Sequence, residues 1–231
     1  MKQKYRTNLE WLQSWYFAQI KDNQKDAIIF DTLDNPGWAF FVKLNGTNLD
    51  GEKFVEISSS INSDDWLMCR VRDTRFESAC GPFKLSEVLT IFRKWVEGVA
   101  SDAIESPAQF TNKAREKDQA IDVGDDFLWL QDWYCYYCDG DWEHEYGVRI
   151  HTTEEGGWSL QIDLETTELE GLNFEKVDLA GLRKSDWIFC EVVNNKFIAK
   201  CGPFNLCKLL ISFREWAESR GQKVNTTQLF L

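Results

Sequence analysis

The chain contains its own sequence twice. Residues 9–16 read LEWLQSWY and residues 127–134 read FLWLQDWY, which lays Trp11, Leu12, Gln13, Trp15 and Tyr16 on Trp129, Leu130, Gln131, Trp133 and Tyr134. The correspondence continues at a slowly growing offset. Gly37-Trp38 falls on Gly157-Trp158, and Thr47, Leu49, Gly51 and Phe54 fall on Thr167, Leu169, Gly171 and Phe174. Asp65-Trp66 falls on Asp186-Trp187, and Cys80-Gly-Pro-Phe83 on Cys201-Gly-Pro-Phe204. Leu85, Leu89, Phe92, Arg93 and Trp95 then match Leu206, Leu210, Phe213, Arg214 and Trp216. A chain of this kind is two copies of one small domain of roughly a hundred residues each. The boundaries read as residues 1–100 for the first copy, a solvated linker at 101–124 with Pro107 and mixed charge, and 125–231 for the second copy.

Each copy predicts the same α+β order. An amphipathic opening helix, capped near Thr7 or Asn8 in the first copy, is followed by antiparallel strands. In the first copy these read as Ile28 to Phe30, Trp38 to Leu44, Phe54 to Ile57, and Trp66 to Phe76. In the second copy Asn194-Asn195 reads as a two-residue hairpin turn, which sets Cys190 opposite Ala199 and Cys201 opposite Ile188. After Gly-Pro, Leu85, Val88, Leu89, Phe92 and Trp95, and again Leu206, Leu209, Leu210, Phe213 and Trp216, recur at helical spacing. A sheet with helices on one face buries these stripes.

Of the chain's 231 residues, 43% are hydrophobic and 14% aromatic, enough for packed cores. No apolar run reaches the length of a membrane span, and the N-terminus has no secretory pattern. The expectation is a cytoplasmic protein whose seven cysteines are free thiols. Cys135 and Cys138 form a CxxC, but Phe17 and Ile20 hold those positions in the first copy, so the pair reads as apolar packing, with neither metal nor cofactor expected. The two histidines, His144 and His151, lie in the second copy, and no nucleophile-base spacing, phosphate loop or dinucleotide fingerprint accompanies them. An enzyme is not expected.

Ten of the eleven tryptophans pair between copies and so belong to the scaffold; Trp142 has no counterpart. It lies in Cys138-Asp-Gly-Asp-Trp-Glu-His144, where the second copy is two residues longer than the first. Trp142 reads either as a packed loop residue or as an exposed aromatic ringed by carboxylates. The second reading makes Asp139, Asp141, Trp142, Glu143, His144, Glu145 and Tyr146 the candidate partner-binding residues. Charge favours it: residues 1–100 carry 13 basic and 14 acidic side chains, 101–124 carry 3 and 5, and 125–231 carry 10 and 19, within a net charge of −12. An acidic second copy points to a basic protein partner and away from nucleic acid and membrane.

These motifs together resemble the immunity protein 53 family of bacterial polymorphic toxin systems. The resemblance rests on Trp-Leu-Gln-x-Trp-Tyr in both copies and on Thr32-Leu-Asp-Asn-Pro-Gly-Trp38 in the first. It rests equally on Cys138 to His144 with Tyr146-Gly147 in the second, on Asp-Trp-x-x-Cys, and on the closing tryptophan helix. It implies a non-enzymatic antitoxin that binds and blocks a cognate toxin, in a family whose members usually carry one such domain. A cytosolic interaction adaptor unrelated to toxins fits the same features. A carbohydrate-binding module fits only the tryptophan content, which the scaffold largely absorbs.

Overall fold

The computed structural model describes residues 6–19, 25–98, 124–181 and 183–221. The linker expected at 101–124 therefore lies outside the described residues except for Gly124. The first copy runs α1 (Asn8–Gln19), β1 (Ile28–Thr32), β2 (Trp38–Lys43), β3 (Ile57–Ser60), β4 (Trp66–Arg72), β5 (Arg75–Cys80) and α2 (Leu85–Val96). The second runs α3 (Asp125–Tyr137), the short α4 (Trp142–Glu145), β6 (Val148–Thr152), β7 (Trp158–Asp163), β8 (Val177–Ala180), β9 (Trp187–Val193), β10 (Lys196–Cys201) and α5 (Leu206–Ser219). The α+β order expected from the repeat is present in both halves.

All ten strands nevertheless form one sheet, in the order β3-β4-β5-β2-β1-β6-β7-β10-β9-β8. The order is palindromic about the β1–β6 junction, where Ile29, Phe30 and Asp31 pair with His151, Ile150 and Arg149. Taken singly, each half would end on an unpaired edge strand, and β1 opens with the apolar Ile28-Ile29-Phe30. Joining β1 to β6 satisfies both ladders and removes two sticky edges. Two threonines close the seam reciprocally. Thr152 Oγ1 accepts the backbone N–H groups of Ala27 (2.9 Å) and Ile28 (3.1 Å), and Thr32 Oγ1 accepts that of Val148 (3.0 Å).

The opening helices bind the halves further by each touching both of them. Thr7 caps α1 by accepting the Glu10 N–H at 3.1 Å. On α1, Trp11 and Trp15 pack edge-on against Phe92 of α2, with ring centroids 6.1 and 5.2 Å apart. Its next residues reach the other half: Tyr16 meets Trp158 (5.4 Å) and Phe17 meets Phe204 (4.6 Å). Helix α3 mirrors this, with Trp129 and Trp133 on Phe213 of its own half and Phe127 and Tyr134 on Trp38 of the first. The result is a single continuous core through both halves.

Local sequence accounts for the turns. The β9–β10 hairpin turns at Asn194-Asn195, both at positive φ (50° and 54°), and sets Cys190 opposite Ala199 and Cys201 opposite Ile188 as expected. The glycines of the Cys-Gly-Pro-Phe motifs are required by close approach: a Cβ on Gly81 would lie 2.0 Å from the Asp64 carbonyl oxygen, and one on Gly202 1.8 Å from that of Ser185. Two strands are misplaced by the sequence pattern, and the first is the run Trp66 to Phe76, which Asp73-Thr74 at positive φ divides into β4 and β5. The apolar run at Phe54 predicts pairing there, whereas β3 begins at Ile57. Phe54 instead fills the core against Phe76 (5.3 Å) and Trp95 (5.1 Å).

Along the inner strands alternate residues enter the helix-covered core, whereas the outer strand β8 stays largely exposed. On the opposite face no helix packs among the described residues, and side chains such as Phe41, Met68, Arg70, Phe189 and Ile198 remain partly exposed. Among the described residues the sheet therefore has one bare face spanning both copies.

Candidate interaction site

The segment between α3 and β6, singled out by its unpaired tryptophan, folds as a tightly capped loop at the seam. Asp139 Oδ1 accepts the N–H groups of Asp141 and Trp142, both at 3.0 Å, which starts α4. These bonds favour the charged carboxylate and hold the Asp139 pKa below its ordinary value. Glu143 reaches back to the Asp139 and Gly140 N–H groups at 3.1 Å. It is a buried strut of the loop and presents no free carboxylate.

Trp142 is the packed residue of the two readings, at 4% exposure, which corrects the expectation of an exposed aromatic. Its ring meets Trp133 (6.2 Å), Tyr134 (6.1 Å), Tyr137 (5.8 Å) and Tyr146 (5.8 Å), and its Nε1–H donates to the Glu165 carbonyl at 2.8 Å. That buried indole anchors the loop to the β7 end. What the loop leaves in solvent are Asp139, Asp141, His144 and Glu145, with Tyr146 half-buried. Carboxylate neighbours and burial raise the Tyr146 phenol pKa, with burial the larger cause.

The loop walls an open cleft of about 270 Å³ at the seam, lined also by Asp31, Thr32, Asp34, Arg149, Gln161, Asp163 and Lys196. Gly147 permits this closure, because a Cβ there would fall 2.1 Å from Thr32 Oγ1. Arg149 pairs across the seam with Asp31, and Lys196 pairs with Asp163. Burial raises the Asp31 pKa against the opposing pull of Arg149. Asp34 and Glu145 have no ion-pair partner among the described residues, so the corner stays acidic. Sequence reasoning missed the first copy's contribution, Asp31, Thr32 and Asp34. Only the β1–β6 pairing brings them here.

Cys135 and Cys138 are half-buried at the end of α3, where the Cys138 thiol donates to the Tyr134 carbonyl at 3.3 Å and burial pushes its pKa up to about 12. No group of three or more His, Cys, Asp or Glu among the described residues is placed to hold a metal ion, and no described helix is long and apolar enough to cross a membrane. His151 lies on the bare face with Nδ1 2.9 Å from Asp26 Oδ1.

The described residues thus form a duplicated α+β fold with one sheet face uncovered and a capped acidic loop at the seam. The model of immunity protein 53 matches residues 9–97 and again 127–218, and the chain belongs to that family, as two copies. Immunity proteins bind cognate toxins and are generally non-enzymatic. No curated protein and no solved structure matches the chain.

Proposed function

We propose that this chain is an antitoxin that acts in the cytoplasm by binding its toxin directly, and that the toxin rests on the acidic corner of the second copy. The observation that carries this is the α4 loop. Its backbone is fixed by Asp139, Glu143 and Trp142, while Asp141, His144, Glu145 and Tyr146 face outward beside the cleft. A preorganised loop loses little conformational freedom on binding, and its unpaired carboxylates steer a basic partner. Trp142 and Glu143 serve by holding the loop.

The test is co-expression and pull-down with the product of the gene that flanks this one, taken as the candidate toxin. Stable co-purification is expected, together with an association rate roughly tenfold slower for Asp141→Asn with Glu145→Gln and little change in dissociation. Failure of the unaltered chain to bind or to protect cells from the toxin contradicts the proposal. Unchanged association of the double variant moves the contact away from this corner.

A further inference from the structure

The bare face has a second corner, related to the acidic one by the internal repeat, and its charge is reversed. Across three neighbouring strands of the first copy, Lys43 stands opposite Arg75 and Arg75 opposite Arg72. The equivalent row of the second copy is Asp163, Lys196 and Val193, in which Lys196 is neutralised by its ion pair with Asp163. The first copy thus keeps three cations side by side where the same scaffold elsewhere places one neutral pair and a valine. Like charges directly opposed on a sheet are destabilising.

None of the three has a carboxylate partner among the described residues. Lys43 Nζ donates to the Lys25 carbonyl, at 3.1 Å, and Arg75 lies over the Phe41 ring, 4.9 Å from its centroid. Glu77, which shares that face, is held by Arg70 at 3.1 Å, and Asp73, in the turn between Arg72 and Arg75, forms no ion pair with either among the described residues. Phe41 also departs from its counterpart, the exposed Gln161, so an aromatic surface replaces an amide beside the cations. In a chain of net charge −12, an uncompensated basic row around a half-exposed phenylalanine is the pattern of a contact whose counter-ions come from outside.

We propose that Lys43, Arg72 and Arg75, with Phe41, form a second docking patch that receives a carboxylate-rich surface of the toxin. The proposal rests on the reading of this chain as a direct toxin binder. It gives that toxin a dipolar face, basic opposite the α4 loop and acidic opposite this row. A protein occupant is favoured over nucleic acid because the molecule's overall charge repels a polyanion, and because the family's partner is a protein.

Lys43→Asp recreates at Arg75 the pairing that Asp163 gives Lys196, so it separates binding from folding. Combined with Arg72→Gln in the full chain, it is expected to weaken binding of the co-purified toxin domain at least tenfold at low salt and to flatten the salt dependence. The melting temperature is expected to hold or to rise by about 1–2 °C as the repulsion disappears. Equal affinity of variant and unaltered chain overturns the patch while leaving direct binding intact; no binding by the unaltered chain overturns both. A melting temperature lowered by several degrees assigns the row to structure instead. Binding of a fluorescent single-stranded oligonucleotide, or reversible self-association in sedimentation, that is lost in the variant gives the patch to another occupant and equally overturns the proposal.

Discussion

The two corners of the bare face share one backbone and have opposite chemistry. Around Asp163 and Lys196 the second copy has a capped loop, a buried tryptophan and carboxylates, whereas around Lys43 and Arg75 the first copy has a row of cations beside Phe41. Inside the sheet the copies stay alike: Trp38 and Trp158, Phe76 and Phe197, and Phe92 and Phe213 occupy equivalent buried positions. Core positions are bound by volume and packing, so the duplicate keeps them, while surface positions on an uncovered face change at little cost to stability. The uncovered face accordingly carries two different surfaces on one repeated scaffold.

The largest expected effect falls on the residue that links loop and core. Trp142→Ala empties an aromatic site and orphans the Glu165 carbonyl, and should cost about 3–5 kcal/mol, as much as Trp133→Ala. Urea denaturation followed by circular dichroism checks it, and a loss below about 1 kcal/mol would mean the loop is not anchored through Trp142.

A smaller effect separates the two ends of the repeat. Gln13 Oε1 accepts the Leu206 N–H at 3.0 Å and so caps α5 from the other half, but the equivalent Gln131 Oε1 is buried without a partner among the described residues. Trp158 Nε1 likewise donates to the Pro203 carbonyl at 3.0 Å, while Trp38 Nε1 finds no partner among the described residues. Gln13→Leu should therefore cost about 1–2 kcal/mol and Gln131→Leu less than half of that, since the second removes a polar atom already unsatisfied. Equal losses in denaturant melts would show that the two ends are bonded alike.

The smallest effect is on pH dependence. Burial lowers the His151 pKa, Asp26 opposes the shift and Arg149 adds to it. Because the folded value lies below the unfolded one, stability is full at neutral pH and is lost as pH falls through the histidine range. Asp31, whose pKa is raised, acts with the opposite sign and only at more acid pH. Between pH 7.5 and about 5.5 the melting temperature should fall less for His151→Asn than for the unaltered chain. Parallel curves would place His151 outside this linkage.

The sequence revealed what is local or repeated. Internal comparison exposed the duplication and the scaffold tryptophans, and Asn194-Asn195 announced its turn and register. It did not reveal the β1–β6 seam, because the apolar run of β1 has the same pattern whether its neighbour belongs to its own copy or to the other. Nor did the acidic setting of Trp142 disclose its burial, since the groups that enclose it, Tyr134, Tyr137 and the Glu165 carbonyl, are gathered by the fold. The basic row was invisible for a related reason: Lys43, Arg72 and Arg75 become neighbours only once three strands are in register.

The β1–β6 seam is what places both corners on one face. Amide hydrogen exchange in the full chain tests it most directly. If β1 and β6 lie at the centre of a ten-stranded sheet, their amides should exchange as slowly as those of β2 and β7, through global unfolding alone. If instead β1 and β6 exchange as fast as the outer strands β3 and β8, the two copies end in separate edges and the single face does not exist.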